Sequence, residues 1–226
     1  MRWGLFTAIA LAAAAAALAA TPKPSVLVAP RSGDVNTAFL FKGKGWAPNK
    51  RVTATYFAST TATQPYRAYA FKPRRDGSFV FRLARPVALV DAGVTSRMCF
   101  RQPARSPRRL CTNFYVAPPA AQFMPSSGKL GDLFMLVVSG FVAGHELQGM
   151  LLVPPATERP FVFRARRTAA FVTGGPFGPV YVPRGGAAVR FPSSGTDPAG
   201  LYTATVTDPA AGSRARAAVM LVQETR

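Results

Sequence analysis

Two cysteines, one histidine and a scatter of carboxylates are all that this sequence offers to covalent or metal chemistry. Cys99 and Cys111 enclose Phe100-Arg-Gln-Pro-Ala-Arg-Ser-Pro-Arg-Arg-Leu110, a proline-rich, basic stretch between two β-rich segments. A nucleophilic thiolate needs a nearby histidine and an oxyanion-forming glycine context, and Ser96-Arg-Met-Cys99-Phe has neither. The pair is therefore expected to form a structural disulfide flanking a hairpin. Closing a loop of this size contributes on the order of 3 kcal/mol by restricting the unfolded chain. His145 cannot build a zinc site without three more ligands. Nor does it have a G-x-S-x-G elbow to serve as a base. It is expected as a solvent-exposed loop residue, in the position that Lys50 occupies earlier in the chain. Asp34, Asp76, Asp91, Asp132, Asp197 and Asp208 all sit beside glycine, proline or turn-like sequence, where a carboxylate caps local backbone. Nothing marks a carboxylate pair for glycoside hydrolysis or a cluster for calcium. The expectation is no catalytic residue, no metal and no cofactor: not an enzyme.

Basic residues are another matter. Arg101, Arg105, Arg108 and Arg109 share the stretch between the cysteines. Lys72, Arg74 and Arg75 form a second cluster in a turn, and Lys42, Lys44, Lys50 and Arg51 a third around Trp46. The planar fork of arginine suits two-point contacts with phosphate or carboxylate. The chain carries 28 Lys and Arg against 9 Asp and Glu, a net +19. Residues 21–118 hold 17 basic and 3 acidic residues, and residues 119–226 hold 10 and 6. A field of that sign favours anionic partners.

The elements that carry these residues begin after residue 20. Arg2 followed by an uncharged, alanine-rich stretch to Ala20, with Ala17-Leu-Ala19 as a small-x-small site, has the layout of a cleavable secretory signal. A retained anchor is the alternative. No later segment is long and apolar enough to span a bilayer as a helix; Leu133–Val138 is strand-length. Export agrees with a disulfide, which persists in oxidising compartments. It argues against intracellular nucleic acid as the anionic partner.

Beyond the signal the chain repeats itself. Phe39-Leu-Phe-Lys-Gly-Lys-Gly45-Trp46-Ala-Pro-Asn-Lys-Arg51-Val52 aligns without a gap on Phe134-Met-Leu-Val-Val-Ser-Gly140-Phe141-Val-Ala-Gly-His-Glu146-Leu147, and the same offset pairs Gly33 with Gly128. Asp91-Ala-Gly93 parallels Asp197-Pro-Ala-Gly200. Short alternating runs read as seven strands in the first unit: 25–28, 37–42, 51–57, 66–71, 78–83, 95–101 and 110–116. Seven more fall in the second: 134–138, 146–153, 161–166, 169–173, 187–191, 201–207 and 215–222. Phe79, Phe81 and Leu83 share one face, and the Asp76-Gly77 pair before them favours a tight hairpin. Residues 1–20 are expected as signal, 21–117 and 120–226 as two β-sandwiches, with Pro118-Pro119 as a stiff boundary.

Gly43-Lys-Gly45-Trp46-Ala-Pro48-Asn49 followed by an alternating strand resembles the G-x-G-aromatic-x-P stretch of exported bacterial immunoglobulin-like repeats, including the IPT/TIG modules and neocarzinostatin-type carriers. Asp197-Pro-Ala-Gly200-Leu-Tyr202-Thr-Ala204 resembles the D-x-G-x-Y-x-C of immunoglobulin strand F, with Ala204 in place of the cysteine, so that Tyr202 is placed to form a tyrosine corner. Thr95 is taken as its counterpart in the first unit. The cysteines do not lie on the second strand, so they are not the inter-sheet bridge of antibody domains. The resemblance implies an all-β chain of two tandem immunoglobulin-like sandwiches behind a signal helix, located outside the cytoplasm: secreted, periplasmic or on the cell surface.

The expected function is that of an exported, non-catalytic binding or structural module, whose basic first unit contacts an anionic cell-envelope polymer or a surface protein. Two alternatives stand beside it. One is a periplasmic-type chaperone acting by strand addition along Leu110–Val116. The other is a small-molecule carrier with a pocket lined by Trp46, Tyr56 and Phe57.

Overall fold

The structure is a computed structural model. It describes residues 22–84, 86, 93–103, 106–194 and 196–223, with backbone alone at 106–108 and 192. The expected signal segment, Asp91, Arg105 and the side chain of Arg108 lie outside the described residues.

The first unit contains β1 (Ser25–Ala29), β2 (Ser32–Gly33), β3 (Phe39–Lys44), β4 (Val52–Phe57), β5 (Arg67–Phe71), β6 (Phe79–Leu83), β7 (Val94–Gln102) and β8 (Ser106–Val116). They build a three-stranded sheet, β1-β3-β6, and a five-stranded sheet, β2-β8-β7-β4-β5. The second unit contains β9 (Ala120–Met124), β10 (Ser127–Lys129), β11 (Leu133–Ser139), β12 (Glu146–Val153), β13 (Thr157–Arg164), β14 (Ala170–Thr173), β15 (Pro179–Val182), β16 (Ala187–Pro192), β17 (Gly200–Asp208) and β18 (Ser213–Val222). Its sheets run β9-β11-β16 and β10-β18-β17-β12-β13. The order is that of the first unit, strand for strand. Even the short parallel pairing of β2 on β8 recurs as β10 on β18. Both units are immunoglobulin-like β-sandwiches.

All fourteen expected strands are present, with ends shifted by a few residues. Four were not expected. β2 and β10 are too short to leave a pattern, and β9, Ala-Ala-Gln-Phe-Met, has no clear apolar alternation and follows two prolines directly. β15 pairs with β14 to form a hairpin inserted between β13 and β16, which has no partner in the first unit. That insertion is why the middles of the two units do not align in sequence.

Alternation builds the cores. In β18 every second residue from Ser213 to Leu221 is buried, so one face of the strand is apolar and the other faces water. The first core packs Phe39, Phe41, Trp46, Tyr56, Phe79, Phe100 and Phe114, all at 4 % exposure or less. Phe39 and Phe114 meet at 4.5 Å between ring centres and Trp46 meets Phe79 at 5.6 Å. The second core is more aliphatic, with Leu136, Leu147, Val206 and Leu221 around Phe134 and Phe141.

The glycine of each G-aromatic pair has a steric reason. Gly45 and Gly140 have φ of 75° and 76°, in the left-handed region that disfavours side chains. A Cβ on Gly45 would stand 2.7 Å from the Lys23 carbonyl oxygen, and one on Gly140 would stand 3.2 Å from that of Pro118. The turn thus drops the aromatic, Trp46 or Phe141, into the core below.

The units join end to end. Asn36, in the loop between β2 and β3, donates through Nδ2 to the Phe141 carbonyl at 2.7 Å and accepts the Ala143 N–H on Oδ1 at 3.0 Å. Its amide thereby pairs with the second unit's turn as a neighbouring strand would. Between those two contacts Val142 packs against the first core.

Candidate functional site

Antiparallel pairing decides where the basic residues go. The β3–β4, β5–β6 and β7–β8 turns all fall at one end of the first sandwich, because Thr53 at the start of β4 pairs with Arg101 near the end of β7, and Val52 pairs with Phe71 at the end of β5. Hydrogen bonds tie these turns into one surface. Trp46 N–H donates to Gly77 O at 3.1 Å, and Asn49 N–H to Pro73 O at 3.4 Å. Gln102, 1 % exposed, accepts the Ala47 N–H at 2.7 Å and donates to the carbonyls of Ala47 and Lys50, both at 3.0 Å.

This pole carries Lys44, Lys50, Arg51, Lys72, Arg74, Arg75 and Arg101, all exposed. These seven residues, drawn from all three sequence clusters, share one end of the sandwich. Lys42 lies further along β3, also exposed, and Arg109 is exposed on β8. The one carboxylate placed in these turns is Asp76. It accepts the backbone N–H and the hydroxyl of Ser78 at 2.9 and 2.7 Å. Those two bonds, aided by nearby Arg74, hold its pKa below the usual aspartate value. The Asp76-Gly77 turn is tight as expected, but it joins the two sheets and is not a hairpin.

Cys99 and Cys111 form a disulfide, with Cα atoms 4.0 Å apart, directly opposite each other on β7 and β8. The hairpin is longer than expected and its turn shorter. β7 runs to Gln102 and β8 starts at Ser106, so Arg108 and Arg109 belong to a strand and not to a tethered loop. Arg101 and Arg109 project from the face that carries the disulfide, since side chains alternate along a strand. Deeper on that face Arg97 lies 4.7 Å over the Phe57 ring and reaches the Ala62 carbonyl at 3.1 Å.

The second unit answers Gln102 with Asp208. The register equates the two, and Asp208 is fully buried. Its carboxylate takes His145 Nδ1 at 2.9 and 3.1 Å and accepts the backbone N–H groups of Ala210 and Ala211 at 3.1 Å each. His145 is therefore more than an exposed loop residue: its ring partners a buried carboxylate that also caps its own turn, as expected for Asp208. Among the described residues, no group of three or more His, Cys, Asp or Glu could hold a metal ion.

Tyr202 donates to the Pro198 carbonyl at 2.7 Å, which is the tyrosine corner. Its first-unit counterpart by register is Ser96, not Thr95. The phenol there comes from the neighbouring strand instead, as Tyr56, 3.3 Å from Ser96 Oγ.

Two expected surfaces change character. Trp46, Tyr56 and Phe57 are 1, 1 and 2 % exposed, so they are packing and line no open pocket. The Leu110–Val116 segment is flanked by β7, and its last two residues pair with β2, which closes that end of the edge to strand addition. Gln102 and Asn36 carry no motif that would mark them in the sequence. The offset of 106 that pairs Asp91 with Asp197 also pairs Gln102 with Asp208, and would have singled out the first of them.

No protein-family model matches the chain, and no curated protein matches it. Among solved structures it is similar to the native conformation of Escherichia coli alpha-2-macroglobulin, with 11 % identity, 89 % of this chain and 16 % of that chain covered, and a TM-score of 0.34. For the trypsin-activated form of that protein the figures are 9 %, 90 %, 17 % and 0.34. For a tetra-tandem repeat from the extending region of a large adhesion protein they are 13 %, 88 %, 49 % and 0.30. The chain thus spans about a sixth of the macroglobulin chains and about half of the adhesion chain. The disulfide fits an oxidising compartment. Among the described residues no helix is long and apolar enough to cross a membrane.

Proposed function

We propose that the chain is an exported, non-catalytic binding module that contacts an anionic cell-envelope polymer through the basic pole of its first sandwich. The supporting observation is the convergence of three turns on one end of a rigid sheet pair lashed by Gln102, where Lys44, Lys50, Arg51, Lys72, Arg74, Arg75 and Arg101 are all exposed. Separate cationic loops would each lose conformational freedom on binding. A fixed array loses less, and its affinity is set by how its charges match the polymer. The other end of the first sandwich is occupied by the second unit, so the basic pole is the end that faces away from the junction.

Co-sedimentation with isolated cell envelopes across a salt series tests this. Wild-type binding is expected to fall steeply with salt. A variant with Lys72, Arg74, Arg75 and Arg101 changed to Ser is expected to lose it, and a variant with Arg105, Arg108 and Arg109 changed to Ser to lose part of it. Equal binding of wild type and both variants would remove the pole from any such role.

A further inference from the structure

The second sandwich holds an apolar cavity of about 260 Å³, open at the end opposite the Phe141–Ala143 turn. Rings of Phe123, Phe161, Phe191 and Tyr202 stand around it, with Leu151 and Val219 among the side chains beneath. At the same level of the first sandwich two rings fill the core between the sheets. Register equates Leu151 with Tyr56 and Val219 with Phe114, and those two rings stack with centres 6.0 Å apart in the filled core. That end of the first unit also has Val142 packed against it from outside. The second unit has lost both rings from these positions.

The lining says what would fit. Arg159 is paired with Asp197 at 3.2 Å, and Asp197 accepts the Ser194 N–H at 2.8 Å. The Tyr202 hydroxyl donates to Pro198 O and that of Ser193 to Asp132 O, both at 2.7 Å. Each polar side chain of the described lining is thus bonded, and its two charges, Arg159 and Asp197, pair with each other, which leaves no unpaired charge there to receive an ionic ligand. An apolar cavity of roughly 150 Å³ holds one benzene, so this one has room for two fused rings. It is far larger than a knob such as Val142 requires. Aromatic walls also favour edge-to-face contact with a flat ligand.

We propose that this cavity is a binding site for a small, uncharged aromatic group of about two fused rings. It is independent of the basic pole and of the envelope-polymer reading. The probe is 1-aminonaphthalene, neutral at pH 7, whose emission moves to shorter wavelength in apolar surroundings. Titrated into the purified protein, it is expected to saturate at one per chain. The methyl resonances of Leu151, Val219 and Leu221 are expected to shift along the same curve while those of Val52 stay fixed. Val219→Phe, which restores the ring the first unit carries, is expected to weaken binding at least tenfold, and Arg74→Ser with Arg75→Ser to leave it unchanged. The methyl shifts need no variant, so they decide the matter even where Val219→Phe fails to fold. No saturation below about 1 mM, unmoved Leu151 and Val219 methyls, or full binding by a folded Val219→Phe protein each overturn the proposal. So does self-association of the wild type that Val219→Phe abolishes, because the occupant would then be a second copy of the chain.

Discussion

Gln102 and Asp208 stand at the same position in the two sandwiches, and each anchors the turn that follows the buried aromatic. Gln102 holds the backbone of Ala47 and Lys50 directly, while Asp208 holds the side chain of His145, the residue at the Lys50 position. One repeat uses a neutral amide for the task and the other a carboxylate and an imidazole. The neutral solution serves the unit whose pole is crowded with cations.

Gln102→Ala removes one acceptor and two donated bonds and leaves the Ala47 N–H without its partner. A loss of about 2–4 kcal/mol is expected, confined to the first sandwich. Denaturant unfolding followed by Trp46 fluorescence measures it, with a second-unit probe unchanged.

Asn36→Ala should loosen the junction without disturbing either core. The Ala143 N–H and Phe141 O lose their partners, at a cost of about 1–3 kcal/mol. Calorimetry is expected to show the two units unfolding further apart in temperature than in the wild type, and small-angle scattering a larger maximum dimension.

Replacing Cys99 and Cys111 by Ser is expected to lower the stability of the first unit by about 3 kcal/mol through the freed unfolded chain. Because the pair joins adjacent strands of one sheet, the fold should persist. Near-UV circular dichroism and the denaturation midpoint separate loss of stability from loss of structure.

The tyrosine corner predicts a pH profile. Burial, then the Asp197 charge, raises the Tyr202 pKa above its usual value. A raised acid is more readily kept neutral when folded, so its share of stability is complete below about pH 10 and is lost as pH rises through the folded value. Tyr202→Phe should flatten that alkaline limb and cost about 1 kcal/mol at neutral pH through the lost bond to Pro198.

Asp197 behaves in the opposite sense. The Ser194 N–H, aided by Arg159, lowers its pKa. Its stabilisation is present above the ordinary aspartate value and disappears as pH falls through the lowered one. Thermal melts of Asp197→Asn between pH 2 and 5 should show a shallower acid dependence than wild type.

Much of this architecture is legible in the sequence because it is written in period-two burial and in glycine turns. Phe79, Phe81 and Leu83 announce their strand, and Gly45 and Gly140 announce the repeat. What resists reading is pairing across long separations. Nothing local shows that Gln102 meets Ala47, or that His145 meets Asp208, because both depend on strands that run antiparallel through the middle of a sheet. The same holds for Lys44, Lys50, Arg51, Lys72, Arg74, Arg75 and Arg101, which are scattered along the chain and share one pole in space. Trp46, Tyr56 and Phe57 misled for a related reason, since an aromatic cluster reads alike whether it lines a cleft or fills it.

Pro48 stands where the second repeat has Ala143. Ala143 offers its N–H to Asn36, whereas proline has none to offer, and the neighbouring Ala47 amide is already taken by Gln102. The joint is thus directional, like a plug and a socket of which each unit has kept a different half. Two copies of the first sandwich joined in series would lack the N–H half of the latch, so a joint of the same kind between duplicated first units would first require that proline to mutate.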